Sequence, residues 1–184
     1  MTTKVNNNRK IIRRVCISAA CIALAIVLPF LTGQIPEIGR ALCPMHIPAF
    51  LAGALCGPVF GALVGFISPI LRSLIFSAPM LYPTGVCMAV ELMFYAISFS
   101  FLLRLFSKKY VSVYFALVPS MVVGRIAGGF TQAILYSFGR ISEFGLNIFM
   151  TSYFIDTIPG TVLQLVLIPP VLYALKKAKI GEDK

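Results

Sequence analysis

The sequence predicts an all-α integral membrane protein: a compact bundle of six transmembrane helices with both termini cytoplasmic. Three observations predict it. The chain has 184 residues, 59% of them hydrophobic, and a mean hydropathy of +0.92. Soluble domains sit near about 45–50% apolar, and a core of this size cannot hide the excess, so the bilayer serves as solvent. Apolar runs of spanning length recur between short polar segments, and the cations gather beside those runs.

The elements follow in order. Residues 1–11 form a basic cytoplasmic tail, 12–175 the transmembrane domain and 176–184 a second cytoplasmic tail. The first helix is expected over 12–32. A basic stretch before an apolar one imitates a signal peptide, but 15–33 is long enough to span and no small-x-small site precedes a soluble sequence. A loop follows at 33–45, with Pro36, Glu37, Arg40 and Pro44. Residues 46–75 are too long for one comfortable helix. Gly57-Pro58 breaks them into a short second helix (46–56) and a third (58–75), because proline suits a helix start and fails inside one. FSAPMLY (76–82) is a short loop. The fourth helix covers 83–105, RLFSKKY turns the chain, and the fifth covers 111–137. After FGRISEFGLN (138–147) comes a sixth over 148–175, bent at Pro159-Gly160 and Pro169-Pro170.

Charge orients the bundle. Lys4, Arg9, Lys10, Arg13 and Arg14 precede the first run; Arg104, Lys108 and Lys109 flank the middle loop; Lys176, Lys177, Lys179 and Lys184 follow the last run. With the termini inside, these twelve of the sixteen cations are cytoplasmic and only Arg40 and Arg140 are external, as the positive-inside rule requires. The same placement argues against nucleic acid despite the net charge of +10, since no basic stripe is interleaved with exposed aromatics. The five cysteines show no CxxC, and the single histidine, His46, follows Cys43 by three residues; they read as small buried side chains, with no metal site and no cofactor. There is no GxxxxGK[ST] phosphate loop, no HExxH and no GxSxG, so no enzyme is expected.

Gly53, Gly57, Gly61 and Gly65 recur every fourth residue, and Gly124 and Gly128 repeat the spacing. Small residues four apart let helix backbones approach closely in lipid, and packing within the chain is the reading preferred for them. Ala19 and Ala23 form a similar stripe on the first helix, open to another subunit.

Charges inside a bilayer face polar interiors and mark function. Arg72, Glu91, Arg125 and Asp156 lie at similar depth, from mid-membrane outward. With Tyr82, Gln132, Tyr136, Asn147 and Tyr153 they are the candidate substrate-binding residues, a few polar groups among aromatics. Thr84, Thr151 and Thr157 stand at comparable depth. Arg125 pairing Glu91 or Asp156 only to hold helices together is an equal alternative, and Arg72 can snorkel to headgroups. His46 reads as a cap or hydrogen-bonding group.

The order of helices together with Ala19-x-x-x-Ala23, PMHIPAFLAG, GPVFGALVGFISPILRSLIF, MLYPT, MAVELMFYA and DTIPGTVLQLVLIPPVLYAL resembles the S components of energy-coupling factor (ECF) vitamin transporters, over roughly residues 10–177. The resemblance implies a six-helix subunit of a bacterial plasma membrane that binds a vitamin at the outer face. It implies toppling in the membrane to deliver that ligand, a transmembrane coupling subunit contacted through Ala19 and Ala23, and two cytoplasmic ATPases. It also makes 76–82 a lid with Arg72 at its base. Two intramembrane arginines suit a carboxylate, which puts pantothenate first; riboflavin, folate, a pyridoxine-type vitamin, niacin and a queuosine precursor stay open. The alternative is a stand-alone secondary transporter or a ligand-free assembly factor.

Overall fold

A computed structural model describes residues 2–32, 42–106, 110–139, 157–178 and 180. Among them it is all-helical: α1 (Thr2–Val27), α2 (His46–Cys56), α3 (Pro58–Phe76), α4 (Val86–Leu105), α5 (Tyr110–Gly139) and α6 (Ile158–Lys177).

α1 begins ten residues before the expected start at 12. Nothing in its polar first turns breaks a helix, and a nucleated helix extends cheaply through such residues. It tightens into a 3₁₀ turn at Leu28–Thr32, where Pro29 cannot donate. The expected break at Gly57-Pro58 is present. Gly57 takes φ +93°, a conformation glycine adopts freely, and Pro58 opens α3 at its first turn. α2 has 11 residues, about 16 Å at 1.5 Å per residue, roughly half the hydrocarbon thickness. The other five helices are long and apolar enough to cross a membrane. The expected sixth helix is described from Ile158 on; its stretch 148–156 lies outside the described residues.

α4 is the central element, packed against α3 on one side and α5 on the other. α2 lies over α3 and α4, α1 covers α2 and α3, and α6 closes against α2 and α5. The glycine ladder builds these contacts, as the packing reading expects. A Cβ on Gly61 would stand 2.6 Å from Gly53 Cα, one on Gly53 would strike the Ala96 carbonyl, and one on Gly65 would strike the Leu92 carbonyl. Gly57 belongs to the turn instead. The shared core holds Phe50, Leu92, Tyr95, Phe99, Leu117, Ile168 and Leu172, with the Phe50 ring 5.1 Å from Tyr95 and 5.2 Å from Phe99. Outward, Leu63, Phe66, Leu74, Phe101, Phe115, Ile126, Phe130 and Val166 are exposed. An apolar exterior around a packed interior is what lipid selects.

Candidate functional site

The site grows from α4. Glu91 enters the bundle one turn into that helix, on the buried face that continues through Leu92, Tyr95 and Phe99. Four residues separate Glu91 from Tyr95, so the two share a face, and the Tyr95 hydroxyl donates to Glu91 Oε1 at 2.8 Å. α5 approaches closely because Gly124 and Gly128 lack side chains. A Cβ on Gly124 would run into the Tyr95 ring, and one on Gly128 would stand 2.9 Å from Glu91 Cβ. That approach brings Arg125 Nε to 3.6 Å from Glu91 Oε1. From the third side, the first residue of α2 presents His46 Nε2 at 3.7 Å from the same oxygen, within ion-pair range and beyond hydrogen-bond length. The imidazole packs 5.2 Å from the Tyr95 ring, and the Cys43 thiol interacts with Arg125. Glu91 is 4% exposed, His46 3% and Arg125 8%.

A buried charge is tolerated only when compensated and hydrogen-bonded. Here the Glu91 carboxylate accepts from Tyr95 and faces the Arg125 guanidinium. Glu91 faces Arg125 at ion-pair distance; the other carboxylate the sequence offers it, Asp156, lies outside the described residues, as do Asn147 and Tyr153.

The remaining expected residues divide. Arg72 is buried, but its contacts are elsewhere: Nη1 donates to the Ile26 carbonyl at 2.9 Å, and the guanidinium sits 5.6 Å and 5.8 Å from the Phe30 and Phe76 ring centres. It closes the end of α1 against α3. Tyr82 is half exposed and its hydroxyl donates to the Leu135 carbonyl of α5 at 3.2 Å, which ties the loop after α3 to α5. Gln132 continues the Arg125–Gly128 stripe of α5, with a buried amide oxygen lacking a hydrogen-bond partner among the described residues. Tyr136 stands near the end of α5, one turn beyond Gln132. Ala19 and Ala23 are exposed on α1.

Sequence reasoning missed two members of this cluster, Tyr95 and His46, and one further buried polar residue, Gln164. Tyr95 was detectable from its four-residue spacing to Glu91. His46 was detectable from depth, being the single histidine at the start of a half-length helix. Gln164 is 2% exposed on α6, on the stripe Gly160–Gln164–Ile168–Leu172 that faces the bundle.

A buried ion pair flanked by a tyrosine and an imidazole, inside a lipid-facing bundle without catalytic motifs, fits ligand capture. The comparison with protein families agrees: the model for the ECF transporter substrate-specific component matches residues 13–173. The chain belongs to this family. No curated protein and no solved structure matches it. As an ECF substrate-specific component it is a membrane transport protein, and its family is one of ligand-binding subunits rather than enzymes. The matched range runs from α1 into α6 and contains the whole Glu91–Arg125–His46 cluster.

Proposed function

We propose that this chain is the high-affinity substrate-binding subunit of an ECF-type importer for a vitamin or related micronutrient. It captures the ligand at the outer face of a bacterial plasma membrane. It delivers the ligand inward with a separate transmembrane coupling subunit and two cytoplasmic ATPases, and does no catalysis itself. Both termini are cytoplasmic, the bundle of 12–175 has six transmembrane helices, and the loop tied down by Tyr82 acts as the lid. The observation that carries the reading is the family match together with a compensated ion pair at the meeting of α2, α4 and α5. Exposure of Ala19 and Ala23 supports α1 as the face that meets the coupling subunit.

Pantothenate as first choice depends on two arginines reading one carboxylate. Arg72 and Arg125 have different partners here, which removes that support.

The test is mass spectrometry of small molecules released from the purified, detergent-solubilised protein. A stoichiometric vitamin is expected. An empty preparation that also binds nothing in a vitamin panel would sink the importer reading and favour a stand-alone transporter.

A further inference from the structure

Arg72 is a cation inside the bundle that the Glu91 cluster does not use. It is 5% exposed and stands one turn before the end of α3. Of its five N–H donors, one is spent on the chain: Nη1 donates to the Ile26 carbonyl of α1 at 2.9 Å. The guanidinium carbon lies 5.6 Å from the Phe30 ring centre and 5.8 Å from that of Phe76, and the two rings meet edge to face at 5.0 Å. Phe30 and Phe76 are also the last residues of two apolar spans, Asn8–Phe30 and Pro58–Phe76. These contacts bring the ends of α1 and α3 together, so the charge is held where hydrocarbon gives way to headgroups. Around it Val27, Phe30, Leu74, Ile75 and Phe76 are exposed. Among the described residues the one carboxylate, Glu91, faces Arg125, and none pairs with Arg72. No guanidinium nitrogen of Arg72 is both buried and unpartnered, so those not bonded to Ile26 reach the surface.

We propose that Arg72 binds the phosphate of a phospholipid in the leaflet at that end of the bundle, the outer one when the termini are cytoplasmic. A guanidinium offers paired donors to two phosphate oxygens at once, and long cationic side chains near span ends reach into this layer. The donors that Ile26 leaves over take the phosphate. The exposed apolar side chains around them take the acyl chains, and the two rings hold the guanidinium by cation–π attraction. The bound lipid thus completes the contact through which Arg72 joins the end of α1 to α3. The proposal does not depend on which solute the bundle carries, or on the importer reading.

The test is native mass spectrometry of the purified, detergent-solubilised protein with three probes: phosphatidylglycerol, a diacylglycerol of the same chains, and glycerol phosphate as a phosphate without chains. The parent protein is compared with Arg72→Met, with Glu37→Gln, and with Arg104→Met, which removes a cation beside Gly57 at the opposite end of α3. One phosphatidylglycerol per protein is expected, bound at least tenfold more tightly than either other probe. Arg72→Met should lose at least tenfold, and Arg104→Met and Glu37→Gln should match the parent. Because Arg72→Met also loosens the end of α1, a second measurement uses the parent alone: phosphatidylglycerol with a photoreactive headgroup should label segments 26–32 and 70–78. Undiminished retention in Arg72→Met, an equal loss in Arg104→Met, equal retention of diacylglycerol, or labelling confined to other segments overturns the proposal. Glycerol phosphate bound as tightly as the lipid makes this a site for a free anion and overturns the lipid assignment. Retention that appears only in Glu37→Gln shows that this carboxylate holds Arg72 in the parent, which overturns the proposal as well.

Discussion

Glu91 is the residue on which the interior polarity turns, since Tyr95, Arg125 and His46 all address its Oε1. Removing either member of the ion pair leaves the other charge buried and uncompensated, which costs about 3–5 kcal/mol. Arg125→Ala and Glu91→Ala should each destabilise the empty protein by about that amount. The double variant should lose clearly less than their sum, because it leaves no lone charge. Denaturation in mixed micelles reads this cycle, and additive losses would show that the pair is not coupled. Tyr95→Phe removes one hydrogen bond to a charged acceptor and should cost about 1.5–3 kcal/mol in the same assay.

At the scale of elements, the glycines decide how closely helices meet. Gly53→Ala places a methyl group against the backbone of Ala96, and Gly65→Ala places one against the backbone of Leu92. Backbone cannot rotate away as a side chain can, so each should cost about 1–3 kcal/mol as overpacking, visible as a lowered thermal midpoint. Gly124→Ala should do more than destabilise. It displaces the Tyr95 ring and with it the donor to Glu91, so ligand affinity should fall as well. A variant that lost stability and kept full affinity would separate the helix contact from the site. Arg72 works at this scale too, by holding the last turn of α1 to α3. Arg72→Met keeps the apolar stem but loses the bond to the Ile26 carbonyl and the charge over two rings. It should lower the midpoint while leaving the affinity of the folded protein within about twofold, since surrounding structure rather than ligand takes its contacts.

For the whole molecule, the question is what covers α1. Ala19 and Ala23 are exposed together with Val15, Leu24 and Val27. Small residues on a lipid-facing stripe permit close approach of another helix. Ala19→Leu and Ala23→Leu should abolish uptake in cells that hold the coupling subunit and ATPases, with ligand binding by the isolated protein unchanged. Undiminished uptake, or uptake driven by an ion gradient without ATPases, would point to a transporter that works alone.

The sequence by itself determined the class of molecule. Mean hydropathy, spacing of apolar runs and the cation distribution are compositional and follow from the bilayer as solvent, and the Gly57-Pro58 break is local backbone chemistry. Glu91 and Arg125 were legible as interior-facing residues because a charge inside an apolar run must turn away from lipid toward a polar interior. The partners were not. Whether Arg125 meets Glu91, and whether Arg72 joins it or closes the end of α1, depends on which helix faces adjoin, and that depends on glycine contacts between segments far apart in the chain. His46 resembles a cap in the sequence because its neighbours there say nothing of Glu91, 45 residues on. Tertiary structure decided these pairings because ion pairs and unpartnered amides are properties of packed helices, and the packing exists only once the bundle has closed.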